Sequence, residues 1–526
     1  MADELTQPAD FTYSLQFGGG LNTAQPEDQI NDREAAGGDN FDIDIVGGEL
    51  KMRAGYDLVG TVPNGSPIYG GISLLKSDGT VQTAFQAGDK VYEWDGTTTF
   101  TEIGTVSSDA RLRGRLEHNF PLTDKIFITD LGLQEPVKEW DGTTFQNMPE
   151  NLAGDFIAKY CFVDNERAHF ANVISNSVAT PHVIVGSERG DNEVLTVTDR
   201  PSSALNAQDP FFLPALDLSP ITGFVGAFGQ LVIATTNSTQ ILSGTDAQDF
   251  FMKRLASRVK ASGAESLVFI GDDVVLGRQG KIESISDTDK FGDVEVNDLT
   301  NFVKEDVKTF TNWTSVYNSR TDRGFFFPES QSQVWVMEKS LLGTGISPWM
   351  RWKTEHSLDF NPTFTMNMLD PDDGLEYIFM GDSSGNVYRL EGTNSDGDAG
   401  AEISLRHLSK LISVPVDLQT YSHEAELRYR NNQPADIDLT YKFTGLEQFD
   451  SNVTIEVEGI QDRTVYNGNK YYNNGEYYGT PGKNQLIRQI YEPAGQANEF
   501  QIQIGYEEKT APAINAVIGR FEAVNQ

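Results

Sequence analysis

The side chains able to carry chemistry in this chain are six histidines, one cysteine and 77 aspartates and glutamates. The histidines are His118, His169, His182, His356, His407 and His423. No two stand at a metal-ligand spacing and no Gly-x-Ser-x-Gly elbow accompanies them, so they read as structural or surface residues. Cys161 sits in Lys159-Tyr160-Cys161-Phe162-Val163, the pattern of a buried strand, and reads as a core thiol rather than a nucleophile. Asn394, Asp396 and Asp398 have the 1-3-5 spacing of oxygen ligands for calcium. Leu405 stands where a calcium loop of that kind needs a glutamate, so a polar turn is the preferred reading, as it is for Asp370-Pro371-Asp372-Asp373-Gly374. Glycoside hydrolysis needs two carboxylates at a set separation. Acidic residues are plentiful here, no pair is singled out, and Ser77-Asp78-Gly79-Thr80 is a lone Asp-box-like turn without Pro/Trp context or repetition. Gly18-Gly19-Gly20 is not followed by Gly-Lys-Ser/Thr, which argues against a phosphate loop. No catalytic, cofactor or metal set emerges. What stands out is a cationic group, Lys253, Arg254, Arg258 and Lys260. It reads either as a solvated face or as a contact for an acidic neighbouring subunit.

The elements that position these residues follow from a repeat. Val91-Tyr92-Glu93-Trp94-Asp95-Gly96-Thr97 is copied closely at Val137-Lys138-Glu139-Trp140-Asp141-Gly142-Thr143. Weaker copies are Val387-Tyr388-Arg389-Leu390-Glu391-Gly392-Thr393 and Thr239-Gln240-Ile241-Leu242-Ser243-Gly244-Thr245. Each reads as a strand end and a tight turn, because Val and Tyr favour strands and Asp-Gly tolerates positive φ. Gly96 and Gly142 are 46 residues apart, Gly142 and Gly244 are 102 apart, and Gly244 and Gly392 are 148 apart, close to one, two and three periods. A strand-rich period of about 40–50 residues is the signature of propeller blades. The spacing predicts an all-β chain with a β-propeller of about seven blades, within a range of six to eight, these glycines occupying slots one, two, four and seven.

Composition agrees with an all-β class: 49 glycines, 10% aromatic residues and few stretches of helical period. The best helical candidate is Asp246–Ser262, where Phe250, Phe251 and Leu255 share a face. Pro201–Pro220 reads as a polar surface loop. Phe41-Asp42-Ile43 and Leu50-Lys51-Met52 read as a hairpin through Gly47-Gly48. After Gly392 the repeat disappears. Residues 401–526 carry alternating strands such as Ala435–Tyr441 and Glu499–Ile504 around the Tyr/Asn/Gly-rich tract Tyr466–Gly479. The expected division is 1–60, an acidic segment and hairpin that completes the propeller; 61–400, the propeller; and 401–526, a β-sandwich-like domain.

The net charge of −37 is the opposite of what gripping phosphates requires, which excludes conventional nucleic-acid binding and binding to an anionic membrane. The bias is steepest in residues 1–50, where 11 acidic side chains face one basic one, Arg33. A single cysteine excludes an internal disulfide. The acidic N-terminus without an apolar core predicts no signal peptide, and no run of about 18 apolar residues predicts a membrane span.

Taken in order, several stretches carry a resemblance. They are Phe17-Gly18-Gly19-Gly20-Leu21-Asn22 with Pro26; Asn40–Asp44 leading to Gly48–Gly55; Tyr92–Phe100; Ser262–Val268 leading to Gly280; Pro348-Trp349-Met350-Arg351-Trp352; and Gly381–Tyr388. This order resembles the tail nozzle proteins of short-tailed bacteriophages, also called tail tubular or tail stabilisation proteins. The resemblance implies a non-enzymatic virion component with no cofactor. Its subunits would form a hexameric ring below a connector protein, prolong the DNA channel and carry fibres, spikes or a plug, with contact to the host envelope. DNA would pass without specific binding, eased by acidic residues on the channel wall. The rival readings are a glycan-binding propeller, whose cue would be exposed Trp94 and Trp140, although tryptophans at strand ends read first as core, and a carbohydrate hydrolase.

Overall fold

The computed structural model describes residues 10–524 except 44–47, 115–118, 121–123, 150–154, 165, 192–193, 197–205, 207, 228–229, 258, 264, 288–293, 355–359, 392–396, 414–418, 431–434, 445–448, 458–486, 492–495, 498 and 509–512. The chain is almost entirely antiparallel sheet. Its helical content among the described residues amounts to the single turn Lys304–Val307 and the 3₁₀ turn Lys339–Leu341. No helix among the described residues is long and apolar enough to cross a membrane.

Residues 56–390 form a β-propeller. Among the described residues the strands fall into seven units: five separate four-stranded sheets, and two further units fused into one nine-stranded sheet by parallel pairing of Leu112–Gly114 with Ile68–Leu75. In chain order the innermost strands are Ile68–Leu75, Leu112–Gly114, Phe156–Asp164, Ile221–Ala227, Leu267–Ile270, Trp313–Asn318 and Phe364–Leu369. Contacts between neighbouring units run round a ring, and Phe364–Leu369 returns to Ile68–Leu75. The seventh unit takes its outermost strand from the other end of the propeller segment: Tyr56–Thr61 pairs with Asn386–Leu390. That pairing closes the ring by hydrogen bonds as well as by packing.

The four repeat copies share one structural place. Each lies at the end of the third strand of its unit: Lys90–Trp94, Lys138–Trp140, Ser238–Ser243 and Asn386–Leu390. Asp95 accepts hydrogen bonds from the Thr97 and Thr99 amides at 2.8 and 3.1 Å, and Asp141 accepts from Thr143 and Thr144 at 2.8 and 2.6 Å. Gly96 and Gly142 both have φ +83°, the left-handed conformation that the turn demands. Trp94 and Trp140 fall inside the packing between units, 3% and 0% exposed, as the core reading of strand-end tryptophans expects, so they offer no exposed cue for glycan binding.

Burial explains why alternation is weak in this region. Lys125–Asp130, Gln333–Glu338 and Glu376–Gly381 are buried on both faces after their first residue, because a propeller sheet is covered by a neighbour on each side. A strand such as Ile403–Leu408, outside the propeller, alternates instead.

The remaining strands form a second, sandwich-like unit built from both ends of the chain. One sheet orders Phe41–Ile43, Leu50–Met52, Ala513–Val524, Gln419–Arg430 and Ile487–Tyr491, with Asp10–Leu15 also paired to Ala513–Val524. The other orders Gly37–Asp39, Ile403–Leu408, Glu499–Glu508, Ala435–Thr444 and Phe449–Val457. Tyr13, Leu15, Leu405, Ile437, Ile502 and Val517 share one apolar cluster that continues into Trp349 and Trp352 of the sixth propeller unit. The expectation that residues 1–60 belong with the propeller is corrected accordingly: Tyr56–Thr61 joins it, whereas the strands from Asp10 to Met52 pair with the C-terminal strands. The hairpin of Phe41–Ile43 and Leu50–Met52 is present. The Tyr466–Gly479 tract lies outside the described residues.

Two local expectations are overturned. Asp246–Ser262 is not a helix: after a turn capped by Asp249, Phe251–Ser257 is the outermost strand of the fourth unit, paired with Ser238–Ser243. The spacing of Phe250, Phe251 and Leu255 suits a helix, but a long-range strand partner outweighs a local preference. Within the Pro201–Pro220 loop, Phe211–Pro214 is the outermost strand of the third unit, where the absence of a proline N–H does no harm.

Candidate functional site

The most elaborate polar construction is the seam where the N-terminal segment crosses the sixth and seventh propeller units. Gly20 donates its amide to Ser347 O at 2.8 Å, Leu21 donates to Trp349 O at 2.7 Å, and Asn22 donates to Ala35 O at 2.9 Å. Gly20 therefore makes a close backbone approach to Trp349, and the Gly19 and Gly20 amides are used within the protein. A Cβ on Gly20 would lie 2.1 Å from Trp349 O, whereas one on Gly18 would meet nothing nearer than 3.7 Å. Gly20→Ala should lower stability by about 1–3 kcal/mol, and Gly18→Ala should be close to neutral. Thermal unfolding of the two variants side by side checks this contrast; equal melting temperatures would remove the close-approach argument.

Asn40, at φ +61°, is the hub of the crossing. Its amide donates to Arg351 O at 2.9 Å and its Nδ2 donates to Ser404 O at 2.8 Å. Its Oδ1 accepts from Arg53 Nε at 2.9 Å and from the Lys353 amide at 2.6 Å. Arg53 is buried, forks onto Asp398, donates to Lys353 O at 2.8 Å, and lies over the rings of Trp352 and Phe360 at 5.7 and 5.0 Å. Beside it, Arg323 meets Asp42 at 2.6 Å, Glu338 at 2.9 Å and Glu391 at 3.4 Å. Burial pushes the Asp42 and Glu391 carboxyls up despite the guanidinium. Arg351 pairs with Asp39 at 2.5 Å and with Asp306 at 3.5 Å. Apart from Arg323–Glu338, a cross-strand pair of neighbouring strands, each of these ion pairs joins residues far apart in sequence.

The four cations singled out from the sequence stand differently. Lys253 and Arg254 lie on the outermost strand of the fourth unit and are exposed, Lys260 beyond it is exposed, and Arg258 lies outside the described residues. Phe251, 54% exposed, stands at the start of the same strand. The structure thus brings two of the cations onto one outward edge beside an apolar side chain, the edge of a strand rather than a helix face.

A third feature is an axial cavity of about 530 Å³ at the centre of the propeller, walled by inner-strand residues including Phe162, Val225, Phe269, Tyr317, Asn367 and Met368. Glu265 reaches its wall and is forked by Arg113 at 2.5 and 2.9 Å, so that an arm from the second unit spans to the segment before the fifth. Arg113 also donates to Tyr69 O at 2.7 Å and lies over Phe364 at 5.0 Å. A carboxylate held this way is a strut rather than an acid or base. Sequence reasoning missed both partners because nothing local links positions 113 and 265.

The remaining candidates resolve as structural parts. Asp398 is 1% exposed and committed to Arg53, and Asn394 and Asp396 lie outside the described residues. Asp370 is buried and paired with Arg389 at 2.5 Å. Asp78 closes its own turn by accepting from the Thr80 amide at 2.8 Å. Burial pushes the Cys161 thiol up, well above its ordinary range. His169 and His407 are buried, and desolvation lowers each to about 4. His182 is half-buried, while His118 and His356 lie outside the described residues, as does the side chain of His423. Among the described residues, no group of three or more His, Cys, Asp or Glu is gathered to hold a metal.

No family model matches the sequence, and no curated protein matches it. Among solved structures, the chain is similar to a virginiamycin B lyase from Staphylococcus aureus, at 11% identity and a TM-score of 0.40, over 63% of this chain and 97% of the lyase. It is similar to YCF48 from Cyanidioschyzon merolae at 11% identity and a TM-score of 0.37, over 64% of this chain and 98% of that protein. It is also similar to the WD40 domain of Toxoplasma gondii coronin at 8% identity and a TM-score of 0.36, over 73% of this chain and 86% of that domain. These likenesses concern the fold alone.

Proposed function

We propose that this chain is a non-enzymatic structural subunit, a tail nozzle protein of a short-tailed bacteriophage, which assembles as a hexameric ring and prolongs the DNA channel below a connector. One observation carries the reading. Four of the stretches on which the nozzle resemblance rests are distant in sequence yet meet at the seam: Phe17–Asn22 lies on Ser347–Trp349, Asn40 holds Arg351 and Arg53, and Tyr56, next to Gly55, packs edge-on against Tyr388 at 5.3 Å. A signature that converges on one joint between two units is what a scaffold protein would need. It fastens the flanking domain rigidly to the propeller, so that load on one is borne by the other.

The charge of −37 supports the same reading, since an acidic bore repels DNA and lets it slide. The exposed edge with Phe251, Lys253 and Arg254 is the natural contact for an acidic neighbouring copy, and cyclic symmetry would reuse it at every interface. The partners are then other copies of this chain, a connector above, and fibres, spikes or a plug below.

The test is the assembled state. Mixed with its connector, the chain should add about six times 58.1 kDa to the connector's own mass by native mass spectrometry and give rings in negative stain. Lys253→Glu with Arg254→Glu should shift the population to monomer while leaving the melting temperature unchanged. A ring with a basic lumen, or a chain that stays monomeric beside its connector and turns over a polysaccharide, would end the proposal.

A further inference from the structure

We infer that Phe212, Phe251, Lys253 and Arg254 form a socket that receives the acidic turn 370–375 of a second copy of this chain. The inference rests on the self-assembling reading above and names the two surfaces that meet. Phe211 and Phe250 stack with ring centroids 4.5 Å apart, which holds the starts of the outermost strands of the third and fourth units together. The residue after each of them, Phe212 and Phe251, faces water at 55% and 54% exposure. Lys253 and Arg254 follow on the same strand as Phe251 and are exposed. Among the described residues neither has an ion-pair partner, in a chain with 77 acidic side chains against 40 basic ones. Two such sockets cannot face each other, because like charges would meet. A second copy must therefore offer a different surface, which makes the contact heterologous.

The complementary surface pairs an exposed apolar side chain with carboxylates. Leu375, 47% exposed, ends the turn between the first two strands of the seventh unit, beside the exposed Asp372 and Asp373. A Cβ on Gly96 would lie 2.9 Å from the Asp372 amide, so the exposed Asp95 of the first unit stands against the same turn. Among the described residues none of these three carboxylates has an ion-pair partner. The acids beside other exposed leucines are engaged. Asp57, next to Leu58, pairs with Arg389 at 3.5 Å, and Asp217, next to Leu218, accepts from Ser238 and Thr235 at 2.8 and 2.9 Å. Position agrees with charge. In a ring of seven units the fourth stands opposite the junction of the seventh and first. Turn 370–375 joins the first and second strands of its unit, and the segment before Phe251 joins the third and fourth, so antiparallel alternation puts both at the same end of the propeller. Copies set side by side in one orientation thus bring turn and socket together, and repetition of that contact generates a ring. Whole copies repel at −37 each, so the attraction must come from such local opposite charges.

The experiment is cross-linking between full chains with a short bis-maleimide at low salt. Phe212→Cys and Leu375→Cys are made in separate chains; Cys161 is buried and stays out of the reaction. The mixed pair should give a covalent dimer at least about tenfold faster than either variant by itself, and salt should slow it. Added to its cysteine chain, Lys253→Glu should lower the mixed rate by about tenfold, as should Asp372→Lys added to the other, because each places like charges together. Combining the two reversals should restore the rate. The inference is overturned if each cysteine variant dimerises with itself as fast as the mixture, or if the combined reversal is slower than either alone. If rings form beside the connector while the mixed pair stays unlinked there, this contact is wrong and the ring reading stands. If the mixed pair links but no ring forms beside the connector, the contact stands and the nozzle reading falls.

Discussion

Arg53→Met is expected to destabilise the protein by about 3–5 kcal/mol, the largest loss anticipated for a single substitution outside the apolar core. The reason is what it leaves behind. Asp398 is 1% exposed and Arg53 is its ion-pair partner, so the variant strands a carboxylate away from water. Asn40 Oδ1 and Lys353 O lose donors at the same time. Arg53→Lys should recover little, because a single ammonium cannot reproduce the fork onto Asp398 while also reaching Asn40 and lying over Phe360. Pairing Arg53→Met with Asp398→Asn should be milder than Arg53→Met alone, since the stranded charge is gone. Guanidinium unfolding gives the free energies. Hydrogen exchange at the Asn40, Arg53 and Ala399 amides, which bond to Arg351 O, Asn40 O and Tyr56 O, reports whether the loss is centred on the seam. If the single and double variants unfold at the same midpoint, the buried pair is not what holds this joint.

The second large effect is acid sensitivity set by two histidines. His407 packs edge-on to Phe17 and Phe41 at 5.2 and 5.4 Å, and His169 stands against Phe211 and Phe250 at 5.7 and 6.1 Å. Burial lowers both from 6.5 to about 4, and Arg167 adds to the effect on His169. A histidine held neutral in the fold binds its proton only after unfolding, so each contributes stability that is complete above pH 6.5. That stability falls as pH drops toward about 4 and is exhausted below it. The full loss is on the order of 3 kcal/mol per histidine. Carboxylates act in a lower window: the turn amides hold Asp95 at about 2, below its ordinary 3.8, so its share disappears only as pH falls through that lower range. Comparing unfolding free energies at pH 7 and pH 4.5, His407→Leu should show a drop smaller than wild type by about 2.5 kcal/mol. His169→Leu should behave alike. A variant whose pH profile parallels wild type between those two values would show that its histidine is already protonated in the fold.

How much of this was legible beforehand depends on the range of the interactions. The strand-and-turn copies could be read because their physics is local: an aspartate caps amides two to four residues on, and a glycine takes the positive φ. The same local reading placed the hairpin of Phe41–Ile43 and Leu50–Met52. It failed at Asp246–Ser262, where Phe250 instead stacks on Phe211 with ring centroids 4.5 Å apart and Met252 turns inward. The spacing there fits a helix, and only the edge of Ser238–Ser243 decides for a strand. Phe211–Pro214 was hidden for a related reason: two prolines flank a short run whose pairing partner, Val183–Gly186, lies far back in the chain.

The sequence by itself determined the repeating sheet module, its turns, the acidity of the whole, and the weak alternation of strands buried on both faces. Those depend on residue types and on neighbours a few positions away. Only the tertiary structure decided that Asp10–Leu15 pairs with Ala513–Val524, that Tyr56–Thr61 completes the seventh unit, that Arg53 finds Asp398, and that Arg113 reaches across to Glu265. Each joins residues separated by more than a hundred positions. No periodicity records such a meeting, because the closure of the ring brings the partners together and the chain between them carries no mark of it.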